Sequence, residues 1–388
     1  MDFELSEEQQ RLHDTVFAFA RREWEPRTLE IDAAHRFPMW LWERMRELGW
    51  CGLMVPAQYG GAGLGLLDTC IMIQAATQAG GDIGSCLAWG THLSIGTIPI
   101  VVCGNEAQKQ KYLPRIASGE WISCFCLTEP GVGSNAAGVE LRAVRDGDHY
   151  VLNGTKTFIT NASIANVGIV IATTDKSKRA AGVTAFIVEM KSPGITVSAP
   201  FDKIGNRGSE TCEVGFADVR VPAENRLLEE GDGFMKVGVS TLEYERTCLT
   251  AIWTGNMGYN ISLAVNYAKD RAQFGNPIVL YAQIRERIAQ MQIDYDISKL
   301  MMHRAAAKKD AGIPAPLEAT EYKVFTGQAS VKSALEAIQI HGGYGLMTEY
   351  KVERSLRDAK LGQIGAGTEQ MLLELIARLV TGTRSKTI

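Results

Sequence analysis

Residues 124–138 read CFCLTEPGVGSNAAG and join an apolar, strand-like run to a loop of small residues. The strand character ends at Thr128, after which the sequence Glu-Pro-Gly-x-Gly-Ser combines one rigid residue with two permissive ones. Such a loop can offer hydroxyls and successive backbone N–H groups to a flat or anionic ligand. Taken alone, the stretch fits an ordinary loop better than a binding site, so the rest of the chain decides its meaning.

The stretch begins a zone of strands that lies between two zones of helical pattern. Residues 1–118 show helical spacing that starts with a capped helix at Ser6. Residues 120–222 contain short β-branched runs and a hairpin-like sequence at 146–154. Helical spacing returns from about residue 224 over 232–269, 281–311, 315–341 and 369–382. Because the strands are clustered and do not alternate with helices, the pattern predicts an α+β fold and not a doubly wound α/β sheet.

Composition narrows the class of protein. A chain of 388 residues predicts two or three domains, and its net charge of -4 argues against nucleic-acid binding. The sequence predicts no apolar run that approaches the length needed to cross a bilayer, so we expect no membrane partner. The first residues, MDFELSEEQQRLHD, resemble neither a secretory signal nor a transit peptide. We therefore expect a cytoplasmic enzyme.

Several common site motifs are missing. The eight cysteines include one close pair, Cys124 and Cys126, whose spacing fits neither a CxxC redox motif nor a zinc site, which favours reduced, buried thiols. The six histidines form no HExxH or triad-like cluster, so we expect no metal. The sequence YGGAGLG at 59–65 lacks the last glycine of a dinucleotide fingerprint because position 66 is Leu66, and no Walker A motif occurs. A nucleotide cofactor would have to bind without those devices.

Four further segments give the loop at 124–138 its meaning. They are LNGTKTFITNA (152–162), RAQFG (271–275), QIHGGYG (339–345) and RDAKLGQIGAGTEQ (357–370). In this order and at these separations, the five segments resemble those of the acyl-CoA dehydrogenase family of flavoenzymes, whose TEPxAGS-type signature is similar to TEPGVGS. The resemblance covers essentially the whole chain.

The resemblance implies an α+β fold of three domains and an FAD cofactor. The domains are an N-terminal helical domain (1–119), a middle β-domain (120–223) and a C-terminal four-helix-bundle domain (224–388). It also implies a homotetramer in which a neighbouring subunit completes each FAD site, an acyl-CoA substrate, and electron-transfer flavoprotein as the electron acceptor. The residues that match FAD-binding positions of the family are Phe125, Leu127, Thr128, Gly133, Ser134, Phe158, Thr160, Arg271, Gln273, Phe274, Gln339, Gly342, Gly343, Thr368 and Gln370.

The same resemblance raises a question about the catalytic base. The family removes an α-proton with a carboxylate while a hydride passes from Cβ to flavin N5, and many members carry that carboxylate directly before the Gly-Thr of the last segment. Here that position is Ala366. The isovaleryl-CoA and long-chain members place their base in a Glu-Arg pair further upstream, which Glu245 and Arg246 match. We therefore predict Glu245 as the base.

Other roles follow from the same comparison with the family. The backbone N–H of Ala366 is implied as a donor to the thioester carbonyl, an interaction that needs no side chain. Small residues around it favour a short branched or cyclic acyl group, unless Trp253, Tyr244 or Met257 fills the space. The residues implied in substrate binding are Ser134, Glu243, Arg246, Gly365 and Gly367.

Alternatives stay open at this point. Glu243 is spaced to pair with Arg246 along a helix, and Glu369 is a competing carboxylate that is better placed to begin the closing helix. The protein could also be an enoyl-CoA reductase or an acyl-carrier-protein dehydrogenase on the same scaffold. A catalytically silent FAD- or acyl-CoA-binding assembly protein is the non-enzyme alternative.

Overall fold

The computed structural model describes residues 4–383, which begin with a helical region. Ser6 and Gln9 form a reciprocal capping box at the first helix, as the sequence predicts. The helices of this region are α1 (Glu7–Phe19), α2 (Thr28–Ala34), α3 (Met39–Glu47), α4 (Leu66–Gln78), α5 (Ile83–Leu93), α6 (Ile98–Cys103) and α7 (Glu106–Ala117).

A single eight-stranded sheet follows the helical region. Its strands are β1 (Ser123–Cys126), β2 (Arg142–Asp146), β3 (His149–Thr160), β4 (Val167–Thr173), β5 (Val183–Glu189), β6 (Ile195–Val197), β7 (Thr211–Pro222) and β8 (Arg226–Leu227). They are ordered β6-β7-β3-β2-β4-β5-β8, and β1 pairs with β4 in parallel. The predicted hairpin at 146–154 is the β2–β3 connection. Separate apolar clusters line the two faces of the sheet.

The chain ends in a second helical region. A π-helical segment, Gly233–Gly238, leads into α8 (Val239–Cys248) and α9 (Thr250–Asp270). The two-residue strands β9 (Ala272–Gln273) and β10 (Asn276–Pro277) make a small hairpin before α10 (Ala282–Asp310), α11 (Pro316–His341), α12 (Val352–Ala359) and α13 (Glu369–Thr381). Side chains of α8, α9, α10 and α11 share one apolar core with the N-terminal helices. The three-domain α+β prediction is confirmed.

One stretch contradicts the expectation that no apolar run approaches membrane-spanning length. Ile83–Cys103 is long and apolar enough by composition, but 83% of its most apolar window is buried inside the protein. The stretch comprises α5 and α6, and α5 packs in the shared core. Burial of most of the stretch explains its largely apolar composition.

The cysteines behave as the sequence predicts. All eight are reduced and buried. The Sγ atoms of Cys124 and Cys126 lie 3.9 Å apart on one face of β1, too far for a disulfide bond. Within residues 4–383, no group of His, Cys, Asp and Glu side chains is arranged to hold a metal ion.

Candidate active site

Glu245 lines a largely apolar cleft between the sheet and α8. On the sheet side the cleft is formed by Phe125 and Leu127, and on the helix side by Gly233, Phe234, Gly238, Thr241 and Leu242. The base candidate and the predicted flavin strand, which are far apart in sequence, therefore face one space. Among residues 4–383, the Glu245 carboxylate forms no hydrogen bond or ion pair.

Desolvation raises the pKa of Glu245 from its ordinary value to about 7. The positive charges of Arg246 and Lys323 oppose the shift without cancelling it. A carboxylate with this pKa takes protons at neutral pH far better than an ordinary glutamate does. An unpaired carboxylate of raised pKa in an apolar cleft is what a general base requires.

The raised pKa of Glu245 predicts a cost in stability at high pH. The folded protein favours the protonated carboxyl, so the contribution of this group is complete below about pH 4.5 and is lost as the pH rises through about 7. We expect Glu245→Gln to be more stable than the parent at pH 8, by at most on the order of 3 kcal/mol, with a smaller difference at pH 5. Denaturant unfolding at both pH values measures this difference. Glu213→Gln, which changes an exposed glutamate, is the control, and equal differences at both pH values would contradict the raised pKa.

Ala366 lies at the centre of a strained turn. Its φ is +56°, in the left-handed region that residues with a Cβ rarely adopt. Such a conformation costs on the order of 1–3 kcal/mol and persists only where surrounding contacts impose it, and strain of this kind concentrates at functional sites. Its carbonyl accepts a hydrogen bond from Arg246 Nε at 3.3 Å, and its N–H has no partner in the described part of the chain. The turn therefore presents a free donor close to the Glu245–Arg246 pair.

The predicted flavin loop is anchored by a buried ion pair. Glu129, from the TEPG sequence, accepts a hydrogen bond from Lys156 Nζ at 2.7 Å and others from the backbone N–H groups of Glu140 and Leu141. Lys156 also donates to the carbonyl of Leu127 at 2.8 Å. Desolvation lowers the pKa of Lys156 to about 8, against the favourable charge of Glu129. Sequence analysis missed this pair because nothing in the sequence relates positions 129 and 156.

A β-bulge shapes β3, the second strand that we predict to face the flavin. The pairing of β3 with β7 gains one residue between Lys156 and Ile159, and Phe158 has a φ of +57° there. Phe158 is consequently 66% exposed, and its ring lies 5.5 Å from that of Phe201. The N–H of Thr157 donates to the carbonyl of Thr128 at 2.8 Å, which joins this strand to the β1 loop. Thr160 is half-buried at the end of the strand.

A separate group of predicted residues gathers around the small hairpin. Arg271 lies 5.8 Å from the ring of Tyr344, beside the turn that contains Gly342 and Gly343. A Cβ added to either glycine would meet no atom within 4 Å, so this backbone is open to a ligand. Gln273 and Gln339 are exposed, and Phe274 at the hairpin tip is 93% exposed. An aromatic residue so uncovered is suited to contact with another chain.

The remaining predicted residues lie at the C-terminal turn. Thr368 precedes α13, and its hydroxyl does not cap the helix. Glu369 begins α13, as expected, and accepts a hydrogen bond from Gln328. Gln370 is exposed, and so are Gly133 and Ser134 in the distant β1 loop.

Glu243 does not form the ion pair with Arg246 that helical spacing allowed. Its carboxylate accepts hydrogen bonds from Lys309 Nζ at 2.7 Å and from the N–H of Ala315 at 3.2 Å. The Glu243 carboxylate is thus paired with one group on α10 and one just before α11. Arg246 instead donates to the carbonyl of Ala366. The substrate-binding role of Glu243 stays a prediction.

The three side chains that could have filled the acyl space differ in position. Trp253 is buried, and its Nε1 donates to the carbonyl of Asp358 at 3.3 Å. Met257 is fully buried in a small cluster with Tyr295 and Ala329. Tyr244 remains half-buried under Lys309 Nζ, which lies 5.0 Å from its ring. Two of the three therefore belong to the core.

Comparison with known proteins agrees with this geometry. Models of the acyl-CoA dehydrogenase N-terminal, middle and C-terminal domains match residues 6–120, 124–219 and 231–381. The chain is 40% identical to probable acyl-CoA dehydrogenase YngJ of Bacillus subtilis, over 97% of this chain and 99% of that protein. It is 37% identical to mitochondrial isovaleryl-CoA dehydrogenase of Pongo abelii, over 97% of this chain and 88% of that protein. The solved butyryl-CoA dehydrogenase of Megasphaera elsdenii has a TM-score of 0.95 at 35% identity and covers 98% of this chain and 100% of that one.

The fold and the site together define a flavin-dependent oxidoreductase that acts on CH–CH bonds. The chain belongs to the acyl-CoA dehydrogenase family. Its cofactor is FAD, and the matched solved structures include FAD complexes of PigA. Three features fit such a cofactor. They are the exposed ring of Phe158, the open backbone at Gly342 and Gly343, and the hydroxyl of Thr368, which does not cap α13.

Proposed function

We propose that this enzyme dehydrogenates a short branched or cyclic acyl-CoA between its α and β carbons, with Glu245 as the base. The observation that carries the proposal is the position of Glu245. It is an unpaired carboxylate with a pKa of about 7 that shares a cleft with Phe125 and Leu127 of the predicted flavin strand. The usual alternative position holds Ala366, which cannot accept a proton.

The proton transfer needs two groups from this chain. The α-proton of a thioester becomes acidic enough to remove when its carbonyl oxygen receives hydrogen bonds as negative charge develops. The free N–H of Ala366 supplies one such donor, and Arg246 fixes the turn by binding the carbonyl of the same residue. Glu245 takes the proton in its ionised form, so the rate of flavin reduction rises with pH through about 7.

When bound, FAD would supply one part of the chemistry, the acceptor for the hydride from Cβ. Three groups of residues in this chain would hold it. Phe125, Leu127, Thr128 and Phe158 suit the ring system, and Gly133 and Ser134 offer backbone and hydroxyl groups from the β1 loop. Arg271, with Gly342 and Gly343, suits the pyrophosphate, because an arginine and an open backbone favour phosphate groups.

The size of the acyl group follows from the C-terminal turn. Gly365, Ala366 and Gly367 carry no side chain larger than a methyl group, and Trp253 and Met257 are withdrawn into the core. The turn therefore carries no side chain that would exclude a branch or a ring. The isovaleryl-type placement of the base supports the same class of substrate.

Assembly and electron transfer complete the proposal. We place the exposed Phe274 and Gln273 of the hairpin at a neighbouring subunit's FAD in a homotetramer. Electron-transfer flavoprotein is the acceptor that family membership favours. Size-exclusion chromatography with light scattering tests the tetramer, for which Phe274→Ser is the informative variant.

An anaerobic panel of acyl-CoAs tests the function as a whole. Isovaleryl-CoA, isobutyryl-CoA, cyclohexanecarbonyl-CoA, butyryl-CoA and palmitoyl-CoA are each mixed with the yellow enzyme, and loss of flavin absorbance is timed. We expect the branched or cyclic compounds to bleach the flavin fastest. Bleaching only by carrier-protein thioesters would shift the substrate class, and rapid reoxidation of reduced enzyme by an enoyl-CoA would indicate a reductase. FAD binding with no bleaching by any thioester would contradict an enzyme function.

Moving the carboxylate provides an independent check on the base. We expect Glu245→Ala to be nearly inactive and addition of Ala366→Glu to restore about a tenth of the lost rate, since the family accepts a carboxylate at either position. Position 366 already carries a Cβ at positive φ, so the new side chain adds no backbone strain of that kind. Stopped-flow flavin reduction measures the rescue. Addition of Glu369→Asp in place of Ala366→Glu is the control, and equal rates in both double variants would contradict the shared target.

A further inference from the structure

Lys323 is a buried lysine on α11 that the sequence comparison did not single out. Its side chain is 2% exposed, and Nζ donates a hydrogen bond to the carbonyl of Gly367 at 2.7 Å. The other lysine buried to this degree, Lys156, is paired with Glu129. Lys323 forms no ion pair anywhere in residues 4–383. A buried ammonium without a carboxylate partner is costly, so its position calls for an explanation.

Three charged groups face Lys323, and two of them belong to the proposed site. From α8 these are Arg246 and Glu245, and from the start of α13 it is Glu369. Desolvation and the charge of Arg246 lower the pKa of Lys323 to about 8, while Glu245 and Glu369 oppose the shift. Below about pH 8 the lysine is therefore charged, and its charge acts on Glu245.

Lys323 and Arg246 hold consecutive carbonyl groups of the same turn. Arg246 binds the carbonyl of Ala366 and Lys323 binds that of Gly367, so the peptide planes on both sides of Gly367 are fixed. Ala366 and Gly367 have φ values of +56° and +101°. Glycine adopts such values readily, but alanine rarely does, so the conformation of Ala366 needs support from its surroundings. Charge-assisted hydrogen bonds are the stronger kind, and two of them maintain the turn.

We propose that Lys323 is a positioning residue for the reaction: it holds the turn that presents the N–H of Ala366 and, through its charge, favours the ionised form of Glu245. This inference rests on the proposed function of Glu245. One side chain would then fix the position of the Ala366 N–H, which donates to the thioester carbonyl, and lower the proton affinity of Glu245.

Two substitutions separate these effects. Lys323→Met removes both the charge and the hydrogen bond, whereas Lys323→Gln removes the charge and keeps a donor. We expect Lys323→Met to reduce the limiting rate of flavin reduction about tenfold or more and to move the acid limb of the pH profile upward by about half a pH unit or more between pH 5 and 8. Lys323→Gln should show the same move of the acid limb with a smaller loss of rate. Lys323→Arg keeps the charge and a donor and should keep the pH profile of the parent enzyme.

Lys332→Met is the matched control on the same helix. Lys332 is paired with Asp294 at 2.9 Å, its side chain is 50% exposed, and it does not contact the site. Its variant should keep the parent rate and profile. If Lys323→Met loses FAD or does not fold, the pH profile of Lys323→Gln alone tests the proposal.

The outcomes also distinguish a failure of the Lys323 proposal from a failure of the proposal that Glu245 is the base. An unchanged acid limb in both Lys323 variants, with Glu245→Gln inactive, would overturn the role of Lys323 and leave the base intact. Rapid flavin reduction by Glu245→Gln would overturn the base assignment whatever Lys323 does. A fall in rate with no move of the acid limb would reduce Lys323 to a structural support and contradict the proposal.

Discussion

Replacing Glu245 with glutamine should slow flavin reduction by substrate on the order of a hundredfold or more, the usual range for loss of a general base. Glutamine keeps the shape of the side chain but cannot accept the α-proton. FAD should remain bound, because the predicted cofactor contacts lie on other residues. Single-turnover stopped-flow measurement with the fastest substrate of the panel gives the rate directly.

Glu369→Gln is the control, since Glu369 is the competing carboxylate next to the C-terminal turn. It begins α13 and accepts a hydrogen bond from Gln328, which a glutamine can also accept. We expect a rate close to that of the parent. The opposite pattern, with a slow Glu369 variant and a fast Glu245 variant, would identify Glu369 as the base.

Lys156→Met should have the largest effect on stability. Removing one partner of a buried ion pair costs about 3–5 kcal/mol, because the other charge is left without compensation. Here the orphaned group would be Glu129, whose side chain is 4% exposed and which holds the N–H groups of Glu140 and Leu141. The loop from Thr128 to Ser134 should loosen, and FAD should be released more readily. Denaturant unfolding and FAD fluorescence on dilution measure the two effects.

A second substitution checks the physical cause. Adding Glu129→Gln to Lys156→Met removes the uncompensated charge, so part of the lost stability should return. Lys176→Met breaks an exposed pair with Glu140 in the same domain and should change little. If Lys156→Met behaves like Lys176→Met, the pair does not anchor the loop.

The order of elements could be predicted from the sequence because local patterns carry it. Ser6 and Gln9 form the predicted capping box, and β2 and β3 form the predicted hairpin. The short helix α12, Val352–Ala359, is not among the predicted helices, since it has only eight residues, about two turns. The sequence analysis predicts no apolar run of membrane-spanning length, whereas Ile83–Cys103 reaches that length and is mostly buried inside the protein.

The site was predictable only in part, for a similar reason. Motifs direct attention to Thr128, Glu245 and Ala366, each of which stands in a recognisable segment. The contacts that hold them join distant positions: Glu129 to Lys156, and Lys323 to Gly367. The positive φ of Ala366 could not be foreseen either, because alanine seldom adopts it. Tertiary contacts impose that conformation.

The central claim is that Glu245 removes the α-proton, and deuterium exchange tests that step apart from hydride transfer. An acyl-CoA with sulfur in place of its β-carbon has no β hydrogen to lose, so the enzyme can only exchange its α-protons with solvent. In deuterium oxide, mass spectrometry should show rapid α-exchange with the parent enzyme and an exchange rate on the order of a hundredfold lower with Glu245→Gln. Equal exchange by the two proteins would show that another group removes the proton.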